Sequence, residues 1–293
     1  MTDLDPRAVA RSFGAASASY DAAAWLQAQV REELLSRLTL CRTPPRAVLD
    51  LGAGTGHAAL EIKRRFPRAA VTATDIAAPM VRAARRHSRI WRRIRCVEAD
   101  ARQLPFDTAA FDLVFSNLML QWLQPPDAAL AEMRRVLRPG GLLLLSSFGP
   151  ETLQEMRTAW SAADAGVHVI DFVDVHDLGG ALQRAGFLEP VLDVDRHLHH
   201  YTDAQALMRE LKSLGARNVD ARRARGLTGR AAFARMQAQY ESLRRPPGLP
   251  ATWQVVYAVA WAPEHSPEPA SAAGPGETRI DVQSLRAQLA RRR

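Results

Sequence analysis

Apolar residues recur at spacings of three and four over residues 7–40. Trp25, Leu26, Val30, Leu34, Leu35 and Leu38 form one stripe, which predicts a continuous N-terminal helix stopped by Pro44 and Pro45. From Ala47 the period changes. Short apolar runs of strand length at 47–51, 70–75, 94–98, 111–116 and 142–147 alternate with helical stretches at 57–66, 79–87 and 127–137. Strands and helices alternating at this spacing predict a doubly wound, mostly parallel α/β sheet, because right-handed crossovers lay helices on both faces. Further on, 173–185, 204–214 and 229–240 read as helices, and 190–199 and 253–260 as extended. The stretches 149–172 and 201–246 read as insertions able to cover a site. The expected organisation is an N-terminal cover (1–45), a core (46–148), completion of the sheet with helical insertions (149–262), and a Pro/Ala-rich linker with a basic tail (263–293).

Composition narrows the classes. At 293 residues and 47% hydrophobic content the chain can bury one large core. Cys41 and Cys96 stand far apart and fit no metal or redox spacing, so neither a disulfide framework nor a zinc site is expected. No apolar run has the length of a signal peptide or a membrane span, so a cytoplasmic protein without a membrane segment is expected. The net charge of +8 comes with arginine clusters at 82–95 and 217–245, which suit an acidic partner. No recognition-helix, zinc-finger or aromatic RNA-binding signature accompanies them, so nucleic acid is not expected.

Chemistry concentrates where strands are expected to end. Asp50, Gly52, Ala53, Gly54 and Gly56 form a glycine-rich strand-to-helix turn that lets a ligand approach the backbone. The glycines are spaced G-x-G-x-G behind an acid, and Asp50 would repel a diphosphate while favouring a cationic methionyl group. A sulfonium cofactor therefore fits better than a dinucleotide. Asp75, nineteen residues after Gly56, is placed to accept ribose hydroxyls. Asp100 and Ala101 follow the third strand near an adenine amino group, and Ser116 and Asn117 end the fourth. His168, His197, His199 and His200 have no metal-ligand spacing, and an edge-strand surface is expected for that cluster.

The motifs D-L-G-A-G-T-G, T-D-I-A-A-P-M, E-A-D-A-R-Q-L-P-F and R-V-L-R-P-G-G resemble class I methyltransferases over 46–148. Narrower segments extend the likeness to about residues 8–262: S-F-G-A-A-S-A-S-Y-D-A-A-A-W-L-Q at 12–27, S-N-L-M-L-Q-W-L at 116–123, G-P-E-T-L-Q-E-M-R-T-A-W at 149–160 and L-K-S-L-G-A-R-N at 211–218. Together these resemble the malonyl-acyl-carrier-protein O-methyltransferases of biotin synthesis. The resemblance implies a seven-stranded Rossmann-like sheet, S-adenosylmethionine as cofactor, and methylation of the free carboxylate of a malonyl thioester on an acidic acyl carrier protein or on coenzyme A. It also implies that Tyr20 and Gln27 cover the cofactor, that Ile76 and Met80 join its site, and that Asn117 and Gln121 face the methyl group and substrate. No general base is required, because a carboxylate is ionised at neutral pH. Arg209, Lys212, Arg217, Arg222, Arg223 and Arg225 are the candidate cations for substrate and carrier.

Three other functions remain open at this point. A homologous assembly factor of the respiratory NADH dehydrogenase, associated with arginine modification, resembles the same template over 116–218. A quinone- or sterol-type small-molecule methyltransferase would share the core. A non-catalytic scaffold would be favoured by loss of Asp75 or the glycine turn, and neither is lost.

Overall fold

The computed structural model describes residues 4–220, 222 and 229–264. Seven strands form one sheet: β1 (Ala47–Leu51), β2 (Ala70–Asp75), β3 (Ile94–Glu98), β4 (Phe111–Ser116), β5 (Leu137–Phe148), β6 (Leu188–Tyr201) and β7 (Leu249–Trp261). Their spatial order is β3-β2-β1-β4-β5-β7-β6. β1 to β5 run parallel, and β7 pairs antiparallel with both β5 and β6. The order reverses between β1 and β4. In open α/β sheets that reversal opens a crevice beyond the strands' carboxyl ends.

Leu142 to Leu145 of β5 show why the sheet needs cover on both sides. Alternate side chains point to opposite faces, and Leu142 and Leu144 join one core while Leu143 and Leu145 join the other. The first core also takes α3 (Trp25–Ser36), through Leu26, Val30, Leu34 and Leu35, and α4 (His57–Arg65), through Ile62. The second takes Leu130, Met133 and Val136 of α6 (Asp127–Val136) and Leu178 and Leu182 of α8 (Val175–Arg184).

The N-terminal region differs from the single expected helix. It forms α1 (Pro6–Ala16), α2 (Tyr20–Ala23) and α3, followed by a 3-10 turn at Arg37–Leu40. Serine hydroxyls compete with backbone donors for helix carbonyls, and here Ser19 Oγ donates to Ala16 O at 3.2 Å and to Ser213 O at 2.9 Å. The apolar stripe belongs to α3, while α1, opened by an Asp5 cap on Arg7 N and by Pro6, turns back towards α5 (Ala78–Arg85).

The later segments are pinned to the sheet. Thr152 Oγ1 donates to Gln254 O at 3.0 Å and accepts from Gln254 N at 3.1 Å, and Thr252 N donates to Glu155 Oε2 at 3.0 Å. These bonds hold α7 (Gln154–Ser161) beside β7. α9 (Ala204–Ser213), capped by Asp203, presents Glu210 Oε1 to both Trp25 Nε1 and Tyr201 OH, at 2.8 Å each. α10 (Arg230–Glu241) packs against α7. Residues 265–293, which hold the expected linker and terminal helix, lie outside the described residues. No helix among the described residues is long and apolar enough to cross a membrane.

Candidate active site

The crevice at the β1/β4 reversal holds two compartments that share Tyr20, Gly52, Gly54 and Asn117. The larger, about 750 Å3, is lined by Asp75, Ile76, Met80, Asp100 and Ala101 at the β2 and β3 ends, by Met119 and Trp122 after β4, and by Val9 and Phe13 of α1. The smaller, about 720 Å3, is lined by Asp50, Ala53, Thr55, Gln27 and Arg31.

The glycine turn brings backbone to the junction. Gly52 has φ +72°, and a Cβ there would stand 2.2 Å from Met119 Cγ, so a side chain is excluded by conformation and by space. Gly54 has φ +54° and donates its N–H to Asp75 Oδ2 at 2.9 Å. Asp75 Oδ1 accepts from Ala77 N at 2.8 Å. A carboxylate offers about four acceptor positions, so these bonds orient Asp75 and leave capacity for a ligand's hydroxyls. Burial pushes its pKa up to about 6, against the lowering effect of the backbone N–H groups of Ala77, Gly54 and Ile76. Asp50 is buried deeper and accepts from Ala59 N at 2.9 Å. Desolvation raises it to about 7; the Ala59 bond and Arg31 oppose the shift and Asp75 adds to it.

α2 and α3 close the junction. Thr55 Oγ1 donates to Asp21 Oδ1 at 2.6 Å, tying α2 to the turn. Asn117 Nδ2 donates to Gln27 O at 3.0 Å and its Oδ1 accepts from Ser146 Oγ at 3.0 Å, so Asn117 links α3 to the ends of β4 and β5. Burial and the charges of Asp75 and Asp21 raise the Tyr20 pKa well above the usual phenol range, leaving the hydroxyl neutral. In the smaller compartment Gln27 Oε1 and Arg31 Nε are buried without a partner among the described residues.

Several expected residues sit elsewhere. Gly56, φ +87°, does not line the crevice: a Cβ there would meet Ala84 Cβ at 2.8 Å, so this glycine admits close packing against α5. Ser116 Oγ donates inward to Leu51 O at 2.9 Å, and Gln121 Nε2 turns to Leu118 O at 2.7 Å, both fully or nearly buried. Asp100 lines the larger compartment, but Arg102 donates to both its oxygens and holds its carboxyl below the ordinary value. Of the candidate cations, Arg222 is paired with buried Asp220 and with Asp171, and Arg209 stands 3.9 Å from Asp203. Lys212 and Arg217 are exposed. Arg223 and Arg225 lie outside the described residues. His197, His199 and His200 lie on edge strand β6, but His197 is largely buried and His168 lies outside the strands, between α7 and α8, so the expected edge-strand surface holds only in part; no metal-binding group occurs among the described residues. Sequence reading missed Arg31, Asp21 and Thr55; only the placement of α2 and α3 over the turn reveals them.

Two solved structures share the fold: the YcgJ protein from Bacillus subtilis (TM-score 0.58, 16% identity, 80% of this chain and 99% of that one) and an S-adenosylmethionine-dependent methyltransferase from Thermotoga maritima (0.52, 16%, 86% and 99%). The family described as "Methyltransferase domain" matches residues 49–145, and with the strand order and the crevice it defines a class I S-adenosylmethionine-dependent methyltransferase. A malonyl-[acyl-carrier protein] O-methyltransferase from Laribacter hongkongensis is 46% identical over 90% of this chain and 91% of its own. Another of the same name from Halorhodospira halophila is 44% identical over 97% and 96%. The chain belongs to this malonyl-[acyl-carrier protein] O-methyltransferase family.

The crevice fits the cofactor of that class. Its larger compartment has an oriented acid for a ribose and apolar walls for an adenine. The smaller offers two acceptors, Asp50 and Gln27 Oε1, to an ammonium and one donor, Arg31 Nε–H, to a carboxylate, which matches the two charged ends of an amino acid.

Proposed function

We propose that this protein transfers a methyl group from S-adenosylmethionine to the free carboxylate of a malonyl thioester, on acyl carrier protein or coenzyme A, giving the malonyl methyl ester that primes pimeloyl and biotin synthesis. The observation that carries the reading is the make-up of the junction. Tyr20, Gly52, Gly54 and Asn117 are the residues common to both compartments, and none is a base at neutral pH. A nucleophile that is already ionised suits such a site, and a malonyl carboxylate is ionised at neutral pH. The names of the relatives support the same substrate, and at 36–46% identity they do not favour the assembly-factor or small-molecule alternatives.

When bound, S-adenosylmethionine supplies an electrophilic methyl on a sulfonium and leaves as the neutral thioether once the carboxylate oxygen has taken the methyl. The chain's own work is to bind, orient and exclude water. Asp75 accepts the ribose hydroxyls, Ile76, Met80, Asp100 and Ala101 surround the adenine, and Asp50, Ala53, Gln27 and Arg31 hold the methionyl end. Tyr20 closes over the junction with its hydroxyl protonated. Asn117, fixed by Gln27 O and Ser146 Oγ, borders the reacting groups. Exposed Lys212 and Arg209, both on α9, offer positive charge to an acidic carrier.

The test compares transfer of labelled methyl from S-adenosylmethionine to malonyl-carrier protein and to acetyl-carrier protein. Label entering only the malonyl form is expected. Measurable cofactor binding with no label in either would overturn the assignment.

A further inference from the structure

Trp122 also walls a second, open-sided cavity whose surface is mostly apolar: Phe148 and Trp253 from the sheet, Met156 of α7, Phe172, and Leu211 of α9. Besides the indole of Trp253, whose buried Nε1–H has no partner among the described residues, three polar side chains line it, and two of these are occupied. His168 Nε2 is held by Asp164 Oδ1 at 2.8 Å and its ring stacks on Trp160 at 3.6 Å. Asn218 Nδ2 donates to Val167 O at 2.6 Å and its Oδ1 accepts from Asp220 N at 2.9 Å. The third is Arg217. It is exposed, so it stands at the mouth, and nothing among the described residues pairs with its guanidinium. The neighbouring Arg157 and Arg222 both engage Asp171 instead.

From the outside inwards the order is an unpaired cation, an apolar chamber, an aromatic partition, and the methyl-donor crevice. A malonyl thioester has the matching order: an anionic phosphate, a largely uncharged pantetheine chain, the thioester, and the carboxylate to be methylated. We propose that the chamber receives the pantetheine arm of the substrate, with Arg217 binding the arm's phosphate and the acyl end reaching the crevice past Trp122. The proposal rests on the malonyl-thioester reading and names how that substrate is held. A guanidinium binds phosphate oxygens in a planar, two-pronged geometry that a lysine does not reproduce. Coenzyme A and a carrier's prosthetic group share this phosphate, so Arg217 is expected to serve both.

The test is equilibrium binding by calorimetry to the full-length protein loaded with S-adenosylhomocysteine. The probes are malonyl-coenzyme A, malonyl-carrier protein, and malonyl-pantetheine, which lacks the phosphate. The unsubstituted protein is expected to bind malonyl-coenzyme A at least roughly tenfold more tightly than malonyl-pantetheine. Arg217→Gln removes that advantage, weakens malonyl-carrier protein by a similar factor, and leaves malonyl-pantetheine unchanged. Leu211→Trp, which fills the chamber, weakens all three probes while S-adenosylhomocysteine affinity and the melting temperature stay near those of the parent. Equal affinity of the parent for malonyl-coenzyme A and malonyl-pantetheine would overturn the proposal. So would Arg217→Gln weakening malonyl-pantetheine as much, which would assign Arg217 to the carboxylate, or weakening only the carrier protein, which would assign it to the carrier's surface. Failure of the malonyl reading itself would look different: the thioesters bind as described and no methyl is transferred.

Discussion

On the strand side of Trp122 the wall residues sit where a parallel strand ends or where a helix covers that end, and their polar groups are set by backbone: Asp75 by the N–H groups of Gly54 and Ala77, Asp50 by that of Ala59. On the other side the walls come from separate insertions, pinned to β7 through Thr152 and Glu155 and to α3 and β6 through Glu210. The first arrangement recognises a constant molecule with buried acids. The second is apolar and, among the described residues, has the unpaired guanidinium of Arg217 at its mouth, an arrangement that suits a long, flexible, mostly uncharged arm. One fold thus separates the group common to all its relatives in chemistry from the part that selects a substrate.

The largest expected effect lies on the cofactor side. Asp75→Ala removes an oriented, charged acceptor of two hydroxyls and should weaken S-adenosylhomocysteine binding roughly hundredfold, whereas Arg31→Gln should cost roughly tenfold by loss of a single charge-assisted contact. Calorimetry on both variants would decide. If Asp75→Ala binds within a few-fold of the parent, the assignment of the larger compartment to adenosine fails.

A smaller effect concerns pH. Burial raises Asp75 to about 6 and Asp50 to about 7, above the ordinary carboxylate value near 4. The folded state therefore holds these protons more tightly than the unfolded chain. Their contribution to stability is complete below about pH 4 and is lost as pH rises through 6 and 7. A bound cofactor, with its ammonium and hydroxyls, favours the ionised forms, so the gain in melting temperature from S-adenosylhomocysteine should be larger at pH 8 than at pH 5. Asp100, Asp112 and Asp220 are held low by arginines and titrate below this window. An equal gain at both pH values would contradict the placement of the two acids against the cofactor.

The two sides of Trp122 were also unequally legible. The glycine turn, Asp75 and the acid after β3 could be read from sequence because the chain writes them at strand ends with fixed local spacing. The chamber could not, since Trp122, Phe148, Met156, Leu211 and Trp253 come from five separate stretches and only tertiary packing assembles them. Periodicity overran itself at the N-terminus, where an apolar stripe belonging to α3 suggested one helix, while the chain breaks after Ala16, where Ser19 Oγ takes up a helix carbonyl. Arg31 was hidden for a related reason: an arginine on an amphipathic helix looks like a solvated face until α3 is seen to turn it into the crevice. Arg222, part of a basic run, proved to be committed to Asp220 and Asp171, and among the described residues Arg217 is the cation lining the chamber that has no partner.

A carboxylate oxygen, already ionised at neutral pH, receives the methyl group. The most direct measurement is the location of that methyl in the product from malonyl-carrier protein, read by fragment mass and by lability to mild base. The expected product carries one extra methylene on the malonyl group and releases the methyl as methanol in base, as a methyl ester does. A methyl that stays on the carbon between the two carbonyls, released by base as methylmalonate and not as methanol, would contradict it.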